Sequence, residues 1–198
     1  MSNEKHRILA FAVRARWLGF AVFEGSARLI DWGMIFYQRK GATALKSTRH
    51  RTASIISRLI PTHIVLFHEP FGRSDLARVR SITREIRRTA NAFGIPTTRY
   101  FRDKIRSSFS RRNTRTKHEI ATAIASLFPE LAWRLPPERK LWKKEDCRMA
   151  LFDAVAAALA FYDAQFTHTP PVLPSGRPLG DVQTDDPPVT PEGPTRGT

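Results

Sequence analysis

Residues 7–37, RILAFAVRARWLGFAVFEGSARLIDWGMIFY, hold three apolar runs with little between them. The runs span residues 7–14, 17–24 and 28–37. Runs of this length, rich in β-branched and aromatic residues, are strand material. Links as short as Gly25-Ser26 join antiparallel neighbours, because parallel strands need a long crossover. The stretch predicts an antiparallel three-stranded unit.

Downstream the pattern changes. Residues 41–60 place Leu45, Ile55, Ile56 and Leu59 among basic residues, a helical spacing that Pro61 stops. Residues 63–67, HIVLF, are apolar almost throughout, as expected of a parallel strand buried on both faces. Ser74 and Asp75 are candidate caps for a helix running to Phe93. Its inner stripe is Leu76, Val79, Ile82 or Thr83, Ile86, Ala90 and Phe93, its outer face is Arg80, Arg84, Arg87 and Arg88, and Gly94 closes it. Residues 96–101 form a weaker fifth strand and 116–131 a further helix. Pro136-Pro137 breaks the chain. Residues 145–163 are Ala-rich and apolar nearly all round, which predicts a deeply packed last helix. The order β-β-β-α-β-α-β-α-α implies an α/β mixed five-stranded sheet, three antiparallel strands then parallel strands, flanked by helices. That is the order of the ribonuclease H-like fold.

Charge narrows the class of function. The chain of 198 residues carries 33 Lys and Arg against 18 Asp and Glu. From Ala164 onward there are two Arg and four acids, so residues 1–163 hold 31 basic against 14 acidic groups, a net +17. A domain so charged attracts polyanions, and nucleic acid, DNA before RNA, is the expected partner. Residues 166–198 are rich in Pro, Gly, Thr and Asp and poor in large apolar residues. They read as a disordered tail to a domain at 1–165. Cys147 is the only cysteine, which excludes an intramolecular disulfide framework and a multi-cysteine zinc site. The early apolar run at residues 8–13 is too short for a signal core or a membrane span, so the expectation is a cytoplasmic protein without a membrane partner.

Short motifs then carry a resemblance. ILAFAVRARWLGFAV (residues 8–22), THIVLFHEP (62–70) and EDCRMALFDAVAAALAF (145–161) resemble the opening hairpin, the fourth strand and the final helix of RuvC-like Holliday-junction resolvases. The resemblance covers about residues 7–163. It implies a Mg²⁺- or Mn²⁺-dependent endodeoxyribonuclease acting in recombination as a homodimer. In that chemistry two ions held by carboxylates activate water and stabilise the leaving oxygen. Carried onto this chain, the catalytic and metal-binding positions are Glu69 (or His68 by a one-residue slip), Asp146 and Asp153, with Lys104 or Lys117 steadying the phosphate. The first-strand Asp of the family falls at Ala12, and no acid lies between Glu4 and Glu24. Arg14 and Arg16 stand beside that position. The resemblance thus implies an incomplete metal site. The acids also have plainer readings. Glu69 could be an ordinary strand-end residue. Glu145 and Asp146 could serve the N-terminus of the last helix. Asp153, set among apolar residues, could pair with Arg14 or Arg148.

Three basic runs supply the binding surface. Arg99, Arg102, Lys104, Arg106, Arg111, Arg112, Arg115 and Lys117 alternate with Ser, Thr and Asn, a composition of guanidinium forks and short hydroxyls suited to phosphate. Arg49, His50 and Arg51 form a second run. Arg134, Arg139, Lys140, Lys143 and Lys144, interspersed with Trp133 and Trp142, form a third. Phe101 and Phe109 read as core anchors before stacking platforms. The leading expectation is a domain that recognises structured or branched nucleic acid with a degenerate metal site. The rivals are an active junction-resolving endonuclease and a basic structural subunit on an acidic partner.

Overall fold

The structure, a computed structural model, describes residues 6–26, 28–37, 41–68, 73–110, 114, 116–140, 142 and 144–167. Glu69, Arg111, Arg112, Arg115, Lys143 and the stretch beyond residue 167 therefore lie outside the described residues.

β1 (Arg7–Val13), β2 (Trp17–Glu24) and β3 (Arg28–Phe36) form the antiparallel unit, and β4 (His63–His68) and β5 (Thr97–Phe101) add to it in parallel. The sheet order is β3-β2-β1-β4-β5. β1 pairs antiparallel with β2 and parallel with β4, so the most apolar strand sits at the centre. The mixed five-stranded sheet expected from the element order is the one observed.

Alternation along β1 divides the core. Ile8, Ala10 and Ala12 face one side, with Ala21, Phe23, Val65 and Phe67. Leu9, Phe11 and Val13 face the other, with Leu18, Val22, Ile64 and Leu66. The second side is covered by α1 (Ala42–Leu59) and α2 (Arg73–Ala92) through Ile55, Ile56, Val79, Ile82 and Ile86. The first side is covered by α5 (Met149–Thr167), with α3 (Arg102–Phe109) and α4 (Lys117–Leu127) beside it. Each side buries full apolar side chains, worth roughly 1.5–3 kcal/mol apiece.

α5 comes very close to the sheet. Ala12 pairs with Gly19, and a Cβ on Gly19 would lie 2.1 Å from the Ala150 carbonyl oxygen. Only glycine lets the first turn of α5 rest on β2 here. Small side chains at Ala150, Ala154 and Ala157 serve the same approach.

Several boundaries differ from the sequence expectation. The last helix begins at Met149 rather than residue 145, because Asp146 bonds back to the chain and Met149 N–H reaches only to the Asp146 carbonyl. α4 ends at Leu127 rather than 131. Pro129 bars helical backbone at Phe128 and starts a 3₁₀ segment, Pro129–Arg134. The basic stretch after β5 contains α3, held by Ile105 and Phe109 one turn apart. α2 starts at Arg73, which puts Ser74 and Asp75 in its first turn. Gly94, at φ 69°, closes it as expected, but α2 ends at Ala92, and Phe93, expected on the inner stripe, lies past that end and is 46% exposed.

Candidate nucleic-acid interface

The acids come together at the mouth of β1, beneath the N-terminal end of α5. Arg14 follows β1 directly and donates its backbone N–H to Trp17. Its side chain lies on the α5 side, two residues on from Ala12. One guanidinium nitrogen donates to Asp153 Oδ2, and another reaches Glu145 Oε2 at 2.9 Å. Glu145 Oε1 in turn accepts from Lys117 Nζ at 2.8 Å. Two acids and two bases form one string, Asp153–Arg14–Glu145–Lys117. Asp153 is 8% exposed, so the guanidinium answers a carboxylate that would otherwise be expensive to bury. Lys117 is placed by α4, whose start is set by a capping box. Thr116 Oγ1 accepts from Glu119 N–H and Glu119 accepts from Thr116 N–H.

Asp146 sits apart. Its Oδ1 accepts the Arg148 N–H at 2.9 Å, and its carboxylate takes the Arg148 guanidinium through two further bonds. The Arg148 guanidinium holds the Asp146 carboxyl below its ordinary range, against the opposing pull of burial. Burial, with the charge of Asp146 beside it, raises the Cys147 thiol. Of the acids named from sequence, Asp153 reaches the mouth of β1 and Asp146 engages Arg148. Glu145 stands where Asp146 was expected. Of the two arginines open to Asp153, the structure uses Arg14.

A divalent ion fits these residues poorly. Among the described residues no three His, Cys, Asp or Glu side chains gather closely enough to hold one. Ala12 is fully buried in the apolar cluster under α5. The two acids that converge already share a guanidinium and an ammonium. The cleft beside them, lined by Phe67, Arg102, Arg106, Lys117 and Asp153, offers about 20 Å³, room for about one water.

The cations divide between surfaces. Arg102, Arg106 and Lys117 line that cleft, and Lys104 is exposed on the same short helix. Arg99 is exposed elsewhere: it pairs with Leu66, whose side chain packs toward α1 and α2, so alternation turns it to the other face. Arg139, Lys140 and Lys144 are exposed between the 3₁₀ segment and α5. Phe109 is buried, while Phe101 is half exposed.

On the far side of α5 lies a concavity of about 240 Å³ that sequence reading missed. Trp17, Trp32, Met34, Arg134 and Arg148 are among its walls. Trp32 meets Trp133 edge-on with ring centres 6.0 Å apart, and the Arg134 guanidinium lies 3.9 Å from the centre of the Trp133 ring. Trp133 is 64% exposed, and Arg134 Nε is buried without a hydrogen-bond partner. Trp142 is 78% exposed, with Lys140 5.6 Å from its ring centre. The only advance signal was period two in β2 and β3, which puts Trp17 and Trp32 on one face.

No protein-family model matches the sequence, and no curated protein does. Solved structures do match. RuvC of Thermus thermophilus in complex with a Holliday junction substrate superposes with a TM-score of 0.64 at 16% identity, over 81% of this chain and 96% of that one. A second structure of Thermus thermophilus RuvC gives 0.62 at 17% identity, over the same shares. The yeast mitochondrial Holliday junction resolvase Ydc2 gives 0.57 at 10% identity, over 83% and 82%. The fold is thus ribonuclease H-like. Within that class it is RuvC-like. No helix among the described residues is long and apolar enough to cross a membrane.

Proposed function

We propose that this domain binds structured or branched nucleic acid through the surface around the N-terminal end of α5, and that its acids serve the scaffold rather than a metal-dependent nuclease. One observation carries the reading: the Arg14 guanidinium lies between Asp153 and Glu145, where the resemblance would put a cation. A fixed internal cation neutralises both carboxylates without supplying an activated water. Arg102 and Arg106 on one side of α5, Arg134 on the other, and the exposed Arg139 and Lys140 in the segment before it offer guanidinium and ammonium groups to phosphates. Phosphate contacts position a duplex without reading its sequence, so recognition is by shape. Exposed Trp133 and Trp142 can stack on base faces left open where a branch point interrupts stacking, which uninterrupted duplexes do not offer. The solved RuvC structure with its Holliday junction substrate makes a four-way junction the first ligand to try.

The test uses four-way junction, flap, duplex and RNA–DNA hybrid with Mg²⁺ or Mn²⁺, reading binding and cleavage on the same gels. The expected result is junction binding with a steep salt dependence and no cutting by the wild type or by E69A/D153A. Metal-dependent cutting that E69A/D153A abolishes would instead make the chain an active endonuclease in which Arg14 gives way to an ion. A log–log salt slope near zero would remove nucleic acid as the partner and favour an acidic protein. Light scattering on the same samples measures whether the chain is a homodimer.

A further inference from the structure

The side of the sheet away from α5 is basic too, and the binding surface described above makes no use of it. α1 has no acid in its sequence. α2 has two. Asp75 stands in its first turn. Glu85 is buried and takes Arg49 of α1 at 2.5 Å, so it sends little charge outward. Facing solvent are Lys46 and Arg51 on α1 and Arg80, Arg84, Arg87 and Arg88 on α2. Arg99, on edge strand β5, turns to this same side.

Arg80, Arg84 and the adjacent pair Arg87 and Arg88 follow one another at steps of three or four residues, so they stand in a row about 12 Å long on one helix face. Duplex DNA carries a phosphate about every 3.4 Å along each strand, so such a row meets several charges of one backbone. Along the helical spans of α1 and α2 no large apolar side chain is exposed among the described residues; the exposed Ile60 and Phe93 lie just past their ends, off the arginine row. A helix face that enters a bilayer needs such a side chain, which favours a phosphate backbone over a lipid surface.

We propose that the α1/α2 face is a second, sequence-independent binding surface for a nucleic-acid backbone, so that one domain holds two segments at once, one on each face of its sheet. The inference rests on the nucleic-acid reading of the α5 face and adds a bridging activity to it.

The test immobilises one duplex on beads and measures capture of a second, fluorescent duplex by the full chain at about 0.15 M salt. The comparison is R80Q/R84Q/R87Q/R88Q. The two faces are separated by the sheet and a helical layer on each side, well beyond the ~8 Å screening length at that salt, so the change should act locally. The expected result is capture by the wild type, at least ten-fold weaker capture by the variant, and less than three-fold change in affinity for a single junction. Light scattering and circular dichroism should match the wild type, which excludes a lost dimer or a lost fold. Equal capture by the variant would overturn the proposal, since bridging would then come from paired copies of the α5 face. Single-segment binding without capture would overturn it while leaving the first reading intact. Binding of the α1/α2 face to phosphatidylserine vesicles without capture would overturn it in favour of a membrane. Absence of binding to any nucleic acid would instead be the failure of the first reading.

Discussion

Asp153 on α5 and Glu85 on α2 are both buried carboxylates, and each is answered by arginine, yet the two sites differ in kind. Glu85 takes Arg49 and, at 3.8 Å, Arg88, both with side chains about two-thirds exposed. Arg49 comes from the neighbouring α1 and Arg88 from one turn along α2 itself, and both remain largely in water. Asp153 takes Arg14, whose side chain is only 14% exposed and is shared with Glu145. There the cation is itself desolvated, and its removal strands charge in the interior. The first arrangement pins two helices together at an exposed seam. The second ties the end of β1 to α5 and to the segment before it.

Arg14→Ala should therefore produce the largest effect. Leaving Asp153 buried without that partner is expected to cost about 3–5 kcal/mol in urea denaturation. A loss below 1 kcal/mol would show that the string around Glu145 rearranges freely and that the two sites are alike. Replacing both partners, R14L/D153L, should recover most of that loss, to within about 1–2 kcal/mol of the wild type, because no charge is then stranded. A double variant no more stable than R14A would mean that shape rather than charge matters at the mouth of β1. Arg49→Ala should cost about 1 kcal/mol or less, since Arg88 and solvent remain near Glu85.

The smallest effect concerns Asp146, paired with Arg148 at a part-buried turn. Its pKa is depressed in the folded state, so its contribution is complete above the ordinary carboxylate range and is lost as pH falls through the folded value. Asn keeps the capping geometry without the charge. The difference in melting temperature between wild type and D146N should be flat above about pH 5 and shrink below about pH 4. A constant difference across that window would remove the charged pairing with Arg148.

How much of this was legible in the chain depends on how local the cause is. Residues 7–24 and 63–67 reveal their strands because an inner strand of a covered sheet must be apolar on both faces. α3 was not legible, since Ile105 and Phe109 alone mark it and six of its eight residues are polar or charged. The early end of α4 was written in Pro129, whose effect on Phe128 is local and general. The start of α5 was not, because Asp146 bonding to Arg148 N–H looks in sequence like a helix already begun. At the site, Asp153 was visibly out of place among alanines, and Arg14 was one of two partners open to it. That Glu145 rather than Asp146 turns toward Arg14, and that Lys117 completes the string, had no sequence signal.

The net positive charge, the apolar strands, the small residues at Ala12 and Gly19 and the missing acid between Glu4 and Glu24 all follow from the amino-acid order alone. They establish a basic domain with a covered mixed sheet and no first-strand carboxylate. Which cation meets which anion belonged to the tertiary structure. Arg14 and Asp153 are 139 residues apart, and Lys117 and Glu145 are 28. Coulomb attraction has no sequence periodicity, so only the packing of α5 onto β1 and β2, permitted by Gly19, brings those charges within reach and leaves the arginines of α2 facing water on the other side.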